Sequence, residues 1–258
     1  MNIEHEDIRY WRGPLGLRYH DLPGWGVPTL FIHGLGCASS CDYPGVAAAP
    51  ALSGRRMLLV DLLGSGFSDR PTDFSYSVAD HAKTIAALAD HLSFPELNLF
   101  GHSMGGAVAI VAASLLGARV RHLVLGEPNL EPGGGFFSRK IAALAETDFV
   151  QTGHAELISA SAGEGSDIWA ASLLASAPYA VHRAAVSLVE GSDPGWRDQF
   201  CSMAMPRTVI FGARSLPDPD PGRLAAEGVN VAIVEDAGHS MAWENPAGLA
   251  QAIRQSLE

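Results

Sequence analysis

A serine sits between glycines in Gly101-His102-Ser103-Met104-Gly105, and Gly106 follows. Residues 97–101 before it are a short continuous apolar run that reads as a buried strand. Residues 104–116 after it are apolar nearly all round and read as a buried helix. A strand that turns sharply into a helix holds the corner residue in a strained backbone and exposes its hydroxyl. Glycines two before and two after are needed, because side chains there would collide with the adjoining strand or helix. The chemistry this permits is nucleophilic attack by Ser103. The helix N-terminus would lie under the developing negative charge, with the Met104 N–H directed at it.

A serine hydroxyl is a weak nucleophile until a base takes its proton. His239, in Asp236-Ala237-Gly238-His239-Ser240, follows the apolar run 229–234 and precedes the last helical stretch. Of the ten histidines it alone has this placement. The loop His33-Gly34-Leu35-Gly36 follows the first long buried strand and offers a second backbone donor, the Leu35 N–H. One such donor is typically worth a factor of about 10²–10³ in rate. His33 and His102 read as bracing residues rather than catalysts.

These groups need a scaffold that brings distant loops to one edge. Residues 29–33, 57–61, 97–101, 122–125, 208–211 and 229–234 are strand candidates, most of them continuously apolar as in strands covered on both faces. Residues 8–12 and 17–20 suggest an edge hairpin. Helical patterns fall at 78–92 (N-cap Ser77), 104–116, and 246–257 (N-cap Asn245, with Pro246 at the first helical position). This alternation implies an α/β fold with a parallel sheet and helices on both faces. From 131 to 205 the pattern is helical without a convincing strand, over 136–146, 155–162, 168–175 and 179–189. The expected division is a core of 1–130 and 206–258 and a helical cap of 131–205.

Composition bounds the rest. A chain of 258 residues, 47% hydrophobic and 17% charged, suits one large domain with an insertion. At this length no disulfide or metal is required for folding. The net charge of −11 argues against nucleic-acid partners and anionic membrane surfaces. Cys37, Cys41 and Cys201 form no framework and suit a reducing compartment. The C-x₃-C spacing of Cys37 and Cys41 lacks companion metal ligands, so these read as loop thiols. The N-terminal MNIEHEDIRYW is unlike a signal peptide, and the longest apolar stretch is too short to span a bilayer. The expectation is a soluble cytoplasmic protein whose oligomeric state the sequence leaves open. Phe136, Phe137, Phe149, Trp169 and Tyr179 are candidates for cap core or for an apolar pocket, and Trp243 reads as packing.

With these residues placed, the chain resembles the α/β-hydrolase superfamily. The shared marks are HGLG at 33–36, DLLGSGFSDRP at 61–71, GHSMGG at 101–106 and AGH at 237–239. The resemblance implies an eight-stranded, mostly parallel sheet with a variable cap between strands six and seven. It also implies an aspartate after strand seven to orient the histidine. Serine, Ser215, occupies that place, and a neutral side chain cannot do the aspartate's electrostatic work. Asp218 and Asp220 lie just beyond, although Asp220-Pro221 also reads as an N-cap and first helical residue. Some relatives, including many haloalkane dehalogenases, carry the acid after strand six instead. There it lies twenty-four residues past the nucleophile, as Glu127 does here. Glu127 is the favoured acid, with Asp218, Asp220 and Glu131 as alternatives.

The expected activity is hydrolysis of a small carboxylic ester or related acyl substrate through an acyl-enzyme. No metal or organic cofactor is called for. The same triad would also serve a lactonase, an amidase or aminopeptidase, a C–C bond hydrolase or an acyltransferase. A ligand-binding receptor of the same fold is the alternative outside catalysis. Serine at 103 argues against dehalogenase or epoxide hydrolase chemistry, which needs a carboxylate nucleophile.

Overall fold

Residues 57–60, 97–101 and 123–126 are buried along their whole length, which requires a strand with layers on both faces. The computed structural model describes residues 9–12, 16–163 and 166–258 and supplies those layers. Its strands are β1 (Arg9–Arg12), β2 (Arg18–Leu22), β3 (Trp25–Ile32), β4 (Arg55–Asp61), β5 (Leu97–His102), β6 (Val120–Gly126), β7 (Arg207–Gly212) and β8 (Asn230–Val234). They form one sheet in the order β1-β2-β4-β3-β5-β6-β7-β8. β1 pairs antiparallel with β2, and β2 with β4; every other pairing is parallel. Ile8, expected to open the hairpin, lies outside the described residues. β8 is an edge strand; only Val234 of it is buried, and Ile233 is 40% exposed.

Helices Val78–His91 and Met104–Leu116 pack on one face of the sheet around Ile85, Leu88, Val108 and Ala112. The other face is covered by the C-terminal helix Pro246–Ser256 with Leu249 and Ile253. The Ser77 and Asn245 side chains accept hydrogen bonds from Asp80 N–H and Gly248 N–H, the N-caps read from the sequence. Two short helices, Ser39–Asp42 and Pro44–Ala47, carry no long apolar period and were not legible.

Between β6 and β7 the described residues form helices and no strand: Phe136–Ala142, Glu146–Asp148, Phe149–Gly153, His154–Gly163, Asp167–Leu174, Pro178–Glu190 and Trp196–Ser202. They enclose a small core of Ile141, Phe149, Trp169, Leu173, Val181 and Ala185. The loop 61–74 anchors them. Ala177 N–H donates to Gly64 O at 2.7 Å, Tyr179 OH to Arg70 O at 2.6 Å, and Arg183 to Thr72 O and Phe74 O at 2.8 and 3.0 Å. Asp61, buried at the head of that loop, accepts from Ser40 N–H, Ser40 OH and Phe67 N–H, which is a structural role. Among the described residues no helix is long and apolar enough to cross a membrane.

Candidate active site

β3, β5, β6, β7 and β8 run parallel side by side, so the loops after their carboxyl ends converge on one edge. Ser103 follows β5 with φ 55° and ψ −120°, a conformation that L-residues seldom adopt. The turn is possible because glycine lies on either side. A Cβ on Gly101 would sit 2.3 Å from Gly105 O, and one on Gly105 would sit 2.3 Å from Ile32 O. Backbone bonds hold the corner: Ser103 N–H donates to Gly126 O at 2.9 Å, and Ser103 O accepts from Gly106 N–H and Asn129 N–H.

His239 Nδ1 lies 2.8 Å from Glu127 Oε2. Glu127 follows β6 in a left-handed conformation with φ 37°, and its side chain is 11% exposed. Burial alone would raise its pKa. Hydrogen bonds from His239, the Ser215 hydroxyl and Gly212 N–H, the last at 2.9 Å, outweigh burial and hold the carboxyl below the usual carboxylate range. An ionised carboxylate only accepts, so His239 Nδ1 must donate, leaving Nε2 as the lone-pair nitrogen. Ser103 and His239 line the same cavity without a direct hydrogen bond between their side chains. Such contacts are often loose until substrate binds.

The alternative acids are engaged elsewhere, which corrects those readings. Arg197 donates to both oxygens of Asp220 at 3.0 Å and also pairs with Glu131. Asp218 accepts from Asp220 N–H at 2.7 Å. The helix Asp220–Ala226 starts at Asp220 itself, with Pro219 at the N-cap and no side-chain cap, so Asp220 is its first residue rather than its cap.

The two proposed oxyanion donors lie on the expected elements. Met104 N–H is the first of its helix and has no intrahelical acceptor. Leu35 sits in a tight turn after β3, where Gly36 takes φ 67° and Cys37 N–H donates to Gly34 O. Trp169 Nε1 fixes Leu35 O at 3.0 Å. His33 is fully buried; its Nδ1–H donates to Gly34 O at 2.8 Å and its Nε2 accepts from Leu62 N–H at 3.0 Å. It braces this turn.

The cavity over Ser103 has a volume of about 450 Å³, within the usual range for small-molecule sites. Leu35, Phe136, Phe137, Trp169, Leu188 and Trp243 make much of its wall. Trp243 thus lines the site, where the sequence suggested packing alone. Phe149 and Tyr179 do not line it; Phe149 is insertion core and Tyr179 packs on Tyr76.

His102 braces the site, as the sequence suggested, whereas Ser215 and Asp42 were not read as part of it. His102 Nε2–H donates to His239 O at 2.8 Å, positioning the base through its backbone. Burial and the adjacent His239 pull the His102 imidazole down to about 3, so it stays neutral. Ser215 supports Glu127, and its place after β7 was the one available signal. Asp42, 5% exposed, also lines the cavity, and its short helix gave no sequence cue. Among the described residues no cluster of three or more His, Cys, Asp or Glu is arranged to hold a metal ion.

Known proteins share this fold and part of this sequence. The family model described as the alpha/beta hydrolase fold matches residues 27–149. The chain is 38% identical over 129 residues to a 2-hydroxymuconate semialdehyde hydrolase of Pseudomonas putida, a match covering 48% of this chain and 46% of that protein. It is 36% identical over 121 residues to haloalkane dehalogenase 2 of Mycobacterium bovis, covering 46% of this chain and 41% of that protein. The chain thus matches less than half the length of these curated relatives. The solved structure of a thermophilic esterase from Thermogutta terrifontis superposes with a TM-score of 0.76 at 24% identity, covering 93% of this chain and 92% of that one. The family-model match and the superposition agree that this chain has the α/β-hydrolase fold, with an eight-stranded, mostly parallel sheet.

Proposed function

We propose that the protein hydrolyses a small carboxylic ester through an acyl-enzyme. The observation that carries the reading is the 2.8 Å contact between His239 Nδ1 and Glu127 beside a strained serine in a largely apolar cavity. Ser103 Oγ attacks the ester carbonyl while His239 Nε2 takes its proton. The Leu35 and Met104 N–H groups stabilise the tetrahedral oxyanion. Collapse expels the alcohol, which takes the proton from His239. Water then attacks the acyl-enzyme with His239 as base, releasing the acid and restoring Ser103. Glu127 holds the imidazole in the required tautomer and stabilises its charged form.

The similarity to a 2-hydroxymuconate semialdehyde hydrolase favours a second reading, hydrolytic C–C cleavage. Muconate semialdehydes are anions, whereas the acidic side chains on this cavity wall are Glu127 and Asp42. Among the described residues no lysine or arginine lines the cavity to pair with such an anion, which supports an ester without a negative charge. A panel of 4-nitrophenyl esters of increasing acyl length, run beside the muconate semialdehyde, separates the two. Ester turnover that falls at least about a thousandfold in Ser103→Ala supports the proposal. Turnover of the muconate semialdehyde alone, or undiminished ester cleavage by Ser103→Ala, overturns it.

A further inference from the structure

Asp42 is not used by this mechanism, yet it stands on the wall of the same cavity. It ends the short helix Ser39–Asp42 behind the oxyanion turn. Trp243 Nε1 donates to its Oδ1 at 3.3 Å, and the Cys37 thiol hydrogen-bonds it. The Ser172 hydroxyl stands beside it, fully buried and without a hydrogen-bond partner of good geometry. The other titratable groups facing it are Cys41, Tyr43 and Asp61, none of which brings positive charge. Among the described residues no lysine or arginine forms an ion pair with Asp42.

A buried carboxylate is normally paired with a cation, because desolvation penalises its charge. Here burial pushes the Asp42 carboxyl up to about 7, so near neutrality it gains or loses its charge readily. Its surroundings otherwise suit a cation. Phe137, Trp169 and Trp243 line the same cavity, and aromatic rings attract positive charge at their faces. Glu127 adds a second negative group to the wall, and the chain as a whole carries −11.

We propose that Asp42 is the recognition group for a protonated amine on the substrate, so that the cavity selects a cationic ester over its neutral isostere. The ammonium N–H donates to the Asp42 carboxylate while its carbon substituents rest against the aromatic wall. This deepens the ester-hydrolase reading and rests on it only for the choice of ester as ligand.

The test compares 2-(dimethylamino)ethyl butanoate with 3-methylbutyl butanoate, a pair matched in shape and differing by one protonated nitrogen. A second pair, methyl 4-(dimethylamino)butanoate and methyl 5-methylhexanoate, carries the difference on the acyl side. Calorimetric Kd values are measured on Ser103→Ala, which binds without turnover. In at least one pair the amine is expected to bind about tenfold tighter at pH 8, the scale of a charge-assisted hydrogen bond. That preference should weaken severalfold by pH 6 as Asp42 protonates, a readout that needs no change at Asp42. Ser103→Ala/Asp42→Asn should lose most of the preference and its pH dependence. Equal affinities within both pairs at pH 8, or a preference unmoved by Asp42→Asn, overturn the proposal. Turnover of the same esters by the unaltered protein judges the hydrolase reading separately.

Discussion

Replacing Glu127 with glutamine tests the arrangement most directly. The carboxylate receives three donors at once: His239 Nδ1–H, Gly212 N–H and the Ser215 hydroxyl. Glutamine has one acceptor oxygen. Satisfying Gly212 N–H with it turns the NH₂ group towards His239, favouring the wrong tautomer; the reverse choice orphans the Gly212 N–H. Either way the imidazolium formed in the transition state loses its counter-charge. With the side chain only 11% exposed, water replaces that charge poorly. An orienting acid changed to its amide costs up to about 10⁴ in kcat, equivalent to about 5 kcal/mol. We expect kcat for a 4-nitrophenyl ester to fall by about 10³–10⁴, with KM changing less than about threefold. Steady-state kinetics at pH 8 measure both. Asp218→Asn and Asp220→Asn should keep kcat within about threefold, because those side chains serve a backbone N–H and Arg197. Near-normal kcat in Glu127→Gln, with loss in either aspartate variant, would refute the reasoning.

Three further outcomes follow from the same contacts. Ser215→Ala removes one hydrogen bond to the Glu127 carboxylate, so the Glu127 pKa should rise and kcat/KM should fall by about tenfold; a pH–rate profile with its acid limb unmoved would count against the contact. Asp42 holds its proton in the folded state up to about 7, against 3.8 as its ordinary value, so folding stability declines as pH rises between those values. Asp42→Asn should therefore raise Tm by a few degrees at pH 8 and by less at pH 5; the opposite order in thermal scans contradicts the burial argument. Gly105→Ala would drive a methyl to 2.3 Å from Ile32 O, a backbone atom that cannot yield without moving β3. Destabilisation of several kcal/mol in urea titration, or loss of soluble protein, is expected, and a near-native urea midpoint would show the close approach to be dispensable.

The candidate nucleophile was legible because its requirements are local. A strand, a serine between glycines and an apolar helix are contiguous in the chain, and Ser103 adopts the strained turn they imply. Strands β3 to β8 and the long helices were likewise readable from apolar runs and helical periodicity, within a few residues at their ends. Short helices such as Ser39–Asp42 and Trp196–Ser202 carry too little periodicity to read.

Glu127 and the groups around it depend on what lies beside what. β6 and β7 are neighbours, and Glu127 N–H donates to Ile210 O at 3.0 Å across that pair. Adjacent strands are about 5 Å apart, so an acid moved from the end of one to the end of the next reaches the same histidine. Ser215, at the vacated position, then donates to the relocated carboxylate. The sequence by itself determined the serine, the late histidine and the sheet that carries them, because each is written in consecutive residues. Only the tertiary structure sets Glu127 against His239 and Asp220 against Arg197, and only it brings Asp42 to the cavity wall. Contacts between residues 23, 112 and 201 positions apart leave no mark on the local pattern.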